Sequence, residues 1–285
     1  MRSTANENLT VRMAPVIPSQ RRQRLLELLE AHNVLSIAEL IEQLDVSHMT
    51  VRRDIQRLEQ EGRVLSVTGG VRLVSHLYSE PSWQTKAAAN LEAKRAIARH
   101  AAGLVQDGQT VYLDAGTTLY EMAPLLVGHR QLSVITNNFQ ITALLSQYPH
   151  IDLYHAGGRV DHENHSSVGP AVVDYLRQIN VDIAFISSSS WHLERGVTTP
   201  DEAKLMVKQQ LLRSASRRVL LADSAKYGRF GLFRACSLED FDLIVTDADL
   251  ARPAQQAILE RGIGLACVDS DAGDEASRLS RSLDA

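Results

Sequence analysis

Cysteine is scarce in this sequence: Cys236 and Cys267 are the only two in 285 residues. Two thiols build no disulfide framework, and these two show no metal-ligand spacing, so a reducing cytoplasm is the expected setting. Apolar runs long enough for a membrane span are also missing, and so is the apolar stretch a secretion signal needs. The first 18 residues are instead polar with Pro15 and Pro18, and read as a disordered leader or a misplaced start. A strong positive charge is the third absence, since the net charge of −4 argues at first against nucleic acid. Its distribution corrects that impression. Residues 1–75 hold ten arginines against nine carboxylates, about +1, and the remainder holds 20 basic against 25 acidic residues, about −5. A weakly charged DNA domain suits specific recognition by an oligomer better than nonspecific coating, because nonspecific affinity comes mostly from phosphate neutralisation. What is left, 44% hydrophobic and 22% charged residues, is ordinary for a globular chain of about two domains.

Residues 36–63, SIAELIEQLDVSHMTVRRDIQRLEQEGR, carry two short amphipathic helical patterns around a tight turn. Ser36 with Glu39 three residues on makes a capping box. Ile37, Leu40, Ile41 and Leu44 then fall at i, i+3, i+4 and i+7, one apolar stripe of a helix. The stripe stops at Asp45 and Val46, and Ser47 caps a second helix in which Val51, Ile55 and Leu58 repeat toward a core. This is the outline of a helix-turn-helix. Its second helix leads with His48, Met49, Thr50, Arg52 and Arg53, with Arg57 a turn later, the positions that read base edges in a major groove. The alternative is that these arginines form a solvated face with Asp54, Glu59 and Glu61. After Gly62, RVLSVTGGVRLV reads as two strands about a turn, a wing whose tip at Thr68, Gly69 and Gly70 lets backbone approach a phosphate or the minor groove. A basic amphipathic helix over 21–29 completes a winged helix-turn-helix over residues 19–75.

The string VSHMTVRRDIQRLEQEGRVLSVTGGV closely resembles the recognition helix and wing of DeoR-type bacterial transcriptional regulators, with their Ser-x-x-Thr-[Val/Ile]-Arg-Arg-Asp core and trailing Gly-Gly. By that resemblance Ser36, Ser47 and the residues named above form the DNA-binding set.

Residues 76–105 are Ala-rich and helical after Pro81, and read as a linker helix. Beyond them, over 106–270, short apolar runs recur (TVYLDAG, LSVITNN, IDLYHAGG, VDIAFIS, RVLLADS, FDLIVTDA) between helical stretches such as LYEMAPLLV, FQITALLSQ and DEAKLMVKQQLLRSA. Alternating strands and helices predict a largely parallel, doubly wound α/β sheet, followed by a disordered tail over 271–285. Ligands of such sheets bind beyond the carboxyl ends of the strands, where the strand order switches. The first run ends there in Asp114, Gly116, Thr117 and Thr118, immediately before a helix, an arrangement that fits a phosphate or a capped turn with no ligand. Thr136, Asn137 and Asn138 close the second run, Gly157 and Gly158 the third, and Asp223 with Lys226 the fifth, so that together they could surround a polyhydroxylated anion.

The DeoR-type resemblance extends here, through DxGTT, TNN, a Gly-Gly turn and D-x-[ST]-K-[FY]-G in that order, with Ala225 in place of the Ser or Thr. It implies a sensor domain similar to ribose-5-phosphate isomerase that binds phosphorylated sugars or related metabolites. Thr117 and Thr118 would take the phosphate, Asp114 and Asn137 hydroxyls, and Lys226 and Lys208 anionic groups. For Lys208, in DEAKLMVKQQ, an exposed amphipathic face is the alternative. The family is usually small, often Gly-containing, where this chain has SSSSW over 187–191, which bears on ligand size. The loop GGRVDHENHSSVG holds His162, Glu163 and His165, but their spacing is not that of a helical zinc pair; a mobile loop over the ligand site is expected instead, and neither metal nor cofactor. Trp83 and Trp191 read as packing residues. Two function classes remain. One is an oligomeric repressor, dimer or tetramer, on repeated half-sites of operator DNA, relieved by a phosphorylated sugar or sugar-acid effector. The other is a sugar-phosphate isomerase with Asp114, Asp223 and Lys226 as acid-base groups; such an enzyme needs no winged DNA reader.

Overall fold

Capping chemistry organises the first part of the chain. In the computed structural model, which describes residues 17–32 and 34–269, Ser36 and Glu39 form the expected capping box and open α2 (Ile37–Leu44), which closes at Asp45 in the left-handed region. Ser47 accepts the Thr50 N–H and opens α3 (His48–Gln60). Upstream, α1 (Pro18–His32) begins at a proline, whose missing N–H is no loss in a first helical turn. Pro18 is therefore helical rather than part of a leader. Residues 1–16 of the expected leader and the expected tail, 271–285, lie outside the described residues. Strand β1 (Val34–Leu35) pairs antiparallel with β3 (Gly70–Leu73), which pairs with β2 (Val64–Val67). Leu25, Leu29, Leu40, Val51, Leu58 and Val71 fill a core of their own, and the chain divides between Leu73 and Val74.

The second unit is built on seven parallel strands: β4 (Thr110–Leu113), β5 (Ser133–Thr136), β6 (Asp152–His155), β7 (Val181–Ser187), β8 (Ala215–Leu221), β9 (Leu243–Asp247) and β10 (Leu265–Val268). Their order across the sheet is β10-β9-β8-β7-β4-β5-β6. From β4 the chain builds outward to β6, then returns to the other side of β4 with β7 and builds outward again. The switch in order therefore falls between β4 and β7. Buried residues of one face, among them Val111, Leu113, Phe185 and Leu221, pack on α5 (Leu91–Ala102), α6 (Thr117–Met122) and α7 (Phe139–Leu145). Helices α8 (Pro170–Leu176) and α9 (Glu202–Ser214) pack on each other and α9 covers β7 and β8, bringing Val207 and Leu211 under cover. The result is the expected doubly wound sheet. No helix of the described residues is long and apolar enough to cross a membrane.

The stretch read as a linker forms α4 (Trp83–Ala88) and α5. Ile97, Ala98 and Ala101 are wholly buried in the sheet's core, so α5 is a structural part of the second unit. The short pair Ser75–His76 runs parallel to Arg229–Phe230. Trp83 and Trp191 are packing residues: Trp83 stacks on His165 and meets Tyr120 edge-on, and Trp191 is fully buried.

Candidate functional site

Two surfaces carry the chemistry, one in each unit. On α3, His48, Met49, Arg52 and Arg53 are exposed, and Met49 is 66% exposed although apolar. The carboxylates that would neutralise these arginines are engaged elsewhere. Asp54 is buried and takes the Nε of Arg21 at 2.5 Å and its second guanidinium nitrogen at 3.2 Å, with Arg22 at 3.8 Å. Glu59 accepts the backbone N–H and the hydroxyl of Ser66 at 2.9 and 2.6 Å. Glu61 pairs with Arg57 at 2.8 Å. Arg52 and Arg53 thus keep no carboxylate partner among the described residues, whereas Arg57 does. Asp54 fixes the reading helix to α1, and Glu59 fixes the wing to the reading helix; periodicity marked Asp54 and Glu59 only as surface charge. Ser36 and Ser47 spend their hydroxyls on helix caps, and Thr50 shares a 2.9 Å hydroxyl contact with Ser47. The wing turn is Thr68–Gly69. Gly70 begins β3 instead, where an added Cβ would meet the Leu35 carbonyl oxygen at 2.3 Å, so its bareness serves the β1–β3 contact.

In the second unit a small cavity opens at the carboxyl ends of β4 and β7. Asp114, Gly116, Thr117, Thr118, Asn137, Lys208 and Lys226 line it, together with Glu80, Lys86, Asn164, Ser166, Ser187, Ser188 and Lys204. Four lysines and two carboxylates stand on the lining, and Asp161 and Asp223 back Lys204 and Lys226 from just outside it. Asp114 does not reach outward: its Oδ2 accepts from Lys208 at 2.6 Å and from the Ser187 N–H and hydroxyl at 3.1 and 3.0 Å, while Oδ1 accepts from Ala115. Lys208 also donates to the Ser187 carbonyl at 2.7 Å. Both ends of this pair are buried. Lys208 is thus neither an exposed helix face nor an unopposed cation, and the serine that departs from the family pattern is part of its cradle. An added Cβ on Gly116 would stand 2.8 Å from that of Ser187, so only glycine lets β4 and β7 end this close.

Other candidates are placed differently. Thr136 spends its hydroxyl on the Leu113 carbonyl and the Asn138 N–H, and Asn138 caps α7 through Gln140 and Ile141; neither lines the cavity. Gly157 and Gly158 are exposed outside it. Asp223 is buried behind Lys226, which it meets at 3.0 Å, and takes the Asn90 amide at 3.1 Å; burial pushes its carboxyl up, but Lys226 outweighs that and holds it below the ordinary range. Asn137 is a true lining residue. It donates to the Ser167 carbonyl at 2.9 Å, while its Oδ1 and the hydroxyl of Ser166 are buried with no hydrogen-bond partner among the described residues.

Glu80, Lys86, Asn164 and Lys204 went unread in the sequence. Lys204 stands one helical turn before Lys208, a spacing that puts both on one face of α9. It lies 3.0 Å from both Glu80 and Asp161, and Lys86 lies 3.0 Å from Glu80. Burial would raise the Glu80 carboxyl, yet Lys204 and Lys86 hold it at about 2. Burial lowers Lys204, but Glu80 and Asp161 more than restore it; for Lys86 burial prevails, because its carboxylate is shared. The loop with His162, Glu163 and His165 contributes Asn164 to the cavity, while His165 meets the Gln140 amide at 3.1 Å.

Residues 21–76 match the DeoR-like helix-turn-helix domain, and residues 89–248 match the DeoR C terminal sensor domain. The chain is 44% identical over 250 residues to an uncharacterized HTH-type transcriptional regulator of Haemophilus influenzae, covering 88% of this chain and 97% of that one. It is 32% identical over 229 residues to the transcriptional repressor AccR of Agrobacterium fabrum, covering 80% and 89%. Among solved structures, ribose 5-phosphate isomerase A of Methanocaldococcus jannaschii is similar at 20% identity and a TM-score of 0.36, over 49% of this chain and 55% of that one. A winged reader whose Arg52 and Arg53 keep no carboxylate partner among the described residues, the two domain matches and the two regulators above agree: the chain belongs to the DeoR family of helix-turn-helix transcriptional regulators.

Proposed function

We propose that this regulator represses a carbohydrate or sugar-acid catabolic operon in the cytoplasm, and that a phosphorylated sugar or sugar acid bound in the cavity relieves the repression. The observation that carries this reading is the enclosure itself: four lysines on its lining, threonine and serine hydroxyls, and two buried polar atoms, Asn137 Oδ1 and Ser166 Oγ, with no hydrogen-bond partner among the described residues. Buried polar atoms are nearly always satisfied, and the hydroxyls of a sugar satisfy an amide oxygen and a serine together. The ammonium groups on the lining suit an anionic end. In this reading Thr117, Thr118 and Lys226 receive the phosphate, Asn137 and Ser166 take hydroxyls, and the Asp114–Lys208 pair shapes the wall between them. Arg52 and Arg53 read base edges from α3, Met49 and His48 lie against the groove, and the wing turn meets the backbone. Repression is supported by the relative named as a repressor, and an oligomer by the need to place two readers on paired half-sites.

The test is a DNA-binding titration of the full-length protein on its own upstream region at stated salt, repeated with a panel of sugar phosphates and phosphorylated sugar acids. One compound is expected to weaken a saturable, sequence-specific isotherm while its unphosphorylated parent does not. A neutral sugar acting as well as its phosphate would overturn the anionic reading.

A further inference from the structure

Lys208 and Lys226 are paired with Asp114 and Asp223, just past the carboxyl ends of β4 and β8, but one counter-ion of the cavity comes from elsewhere. Glu80 sits on residues 74–82, the segment by which the chain enters the second unit. It is followed by Pro81, which holds Glu80 in extended backbone and aims its side chain into the cavity between Lys86 and Lys204. Its side chain is 10% exposed, and those of the two lysines 18% and 13%. Asn164 completes the cluster by accepting from Lys86, and Asp161 supplies the second carboxylate, 3.0 Å from Lys204.

Two ammonium groups and two carboxylates balance there while Glu80 is seated. Remove Glu80 alone and one buried positive charge stands uncompensated, a costly arrangement. Put another oxyanion in its place and the balance returns with the same donors. We propose that Lys86 and Lys204, with Asn164 steadying Lys86, form an oxyanion subsite, held in the unliganded protein by the chain's own Glu80, and that a second acidic group of a ligand takes this subsite by displacing Glu80. The proposal rests on reading the cavity as an anion-binding site and deepens it. The occupant is a second acidic group of the ligand, phosphoryl or carboxylate, distinct from the phosphate received by Thr117, Thr118 and Lys226.

Displacement has a direction built into the chain. Residues 74–82 are held on the second unit by a few local contacts: the parallel pairing of Ser75–His76 with Arg229–Phe230, the Leu77 N–H on the Phe230 carbonyl at 2.7 Å, and the Glu80 ion pairs. Arg229 lies three residues beyond Lys226, itself a cavity residue. The Trp83 N–H meets the Glu163 carbonyl at 2.8 Å, and its ring stacks on His165, in the same loop as Asn164. A ligand that evicts Glu80 therefore loosens the segment that leads out of the DNA-reading unit, and Trp83 feels the change first.

The experiment uses full-length protein, titrated with sodium phosphate and, separately, with sodium acetate, against sodium chloride at matched ionic strength. Binding is read by thermal shift and the segment by tryptophan emission, with Trp83→Phe marking which part of the signal belongs to Trp83. Expected for the wild type is saturable binding of one of the two anions with a change in Trp83 emission; the anion that acts identifies the end as phosphoryl or carboxylate. In Glu80→Gln that anion binds about tenfold tighter, as befits losing a competitor hydrogen-bonded to charged groups, and Trp83 emission starts at the value the wild type reaches on saturation. Independently of any variant, the anion should speed chymotryptic cleavage of the wild type after Tyr78, an exposed residue of the loosened segment. Equal affinity in both proteins with Trp83 emission and cleavage after Tyr78 unaffected would sink the displacement while leaving the anionic cavity standing. No binding of either anion by either protein would remove the cavity reading itself.

Discussion

Replacing Lys208 with methionine asks whether the pair it forms with Asp114 braces the switch between β4 and β7. Methionine keeps the aliphatic reach of lysine and a comparable helix propensity, so the change removes charge with little loss of packing. It leaves Asp114, 3% exposed, with three donors: the N–H groups of Ala115 and Ser187 and the Ser187 hydroxyl. Stripping one partner from a buried ion pair costs roughly 3–5 kcal/mol. The three surviving donors place the expectation at the lower end, about 3 kcal/mol. Replacing Asp114 with asparagine in the same protein removes the orphaned charge, and the double variant should recover most of that loss, leaving a coupling of about 2 kcal/mol between the sites. Urea unfolding followed by tryptophan fluorescence measures this directly, because Trp83 and Trp191 both belong to the second unit. Operator affinity in the absence of inducer, carried by the first unit, should stay within a factor of two or so of wild type and serves as the control for global damage. A single-variant cost under about 1 kcal/mol, or strictly additive effects, would mean the pair is not a brace.

Further outcomes follow from the same geometry. Glu80 titrates at about 2 in the folded chain against an ordinary 4.5; a depressed carboxyl stabilises fully above its unfolded value, so about 3 kcal/mol should be lost as pH falls from roughly 5 to 2, and an acid-unfolding curve of Glu80→Gln as steep as wild type over that window would contradict this. Gly70→Ala places a methyl 2.3 Å from the Leu35 carbonyl oxygen and should cost about 2 kcal/mol by calorimetry together with operator affinity; wild-type values for both would show that β1 yields freely. Asp54→Ala leaves Arg21 and Arg22 without their shared carboxylate and should weaken operator binding while preserving base preference, whereas Arg53→Ala should lose roughly 1–3 kcal/mol of discrimination at one base pair; competition titrations on single-base variants of the operator separate the two, and a uniform loss for Arg53→Ala would make it a phosphate contact. Lys226→Ala should leave operator binding intact and abolish the response to inducer, and a retained response would exclude Lys226 from the anion site.

The helices of the DNA reader were legible because their causes are local. Ser36 with Glu39, Ser47, and stripes at 3.6-residue spacing act within one or two turns, and the structure places the caps where the pattern puts them. Gly116, Thr117 and Thr118 were legible as a site because a strand end followed by a helix in an alternating chain marks the sheet's ligand edge. The roles of Asn138 and Thr136 were not, since an asparagine that caps a helix and one that faces a ligand look alike until the register of the neighbouring strand is known. Glu80 and Lys86 were invisible for the same reason at longer range: their partners Lys204 and Asn164 lie about 80 to 120 residues away in sequence, and in an Ala-rich stretch such charges read as a solvated helix.

By itself, then, the sequence determined the two folding units, the family, the reading helix and the strand end that lines the cavity, all of them set by periodicity, capping and the order of motifs. Only the tertiary structure decided which charges are spent inside the protein and which are left to act. Asp114 and Lys208 neutralise one another, Asp54 and Glu59 are drawn away from the reading helix's arginines, and Glu80 is carried to a pair of lysines it would never meet in an extended chain. Charge pairing depends on distances set by the folded backbone, and its strength on burial, neither of which has a period that can be read along the chain.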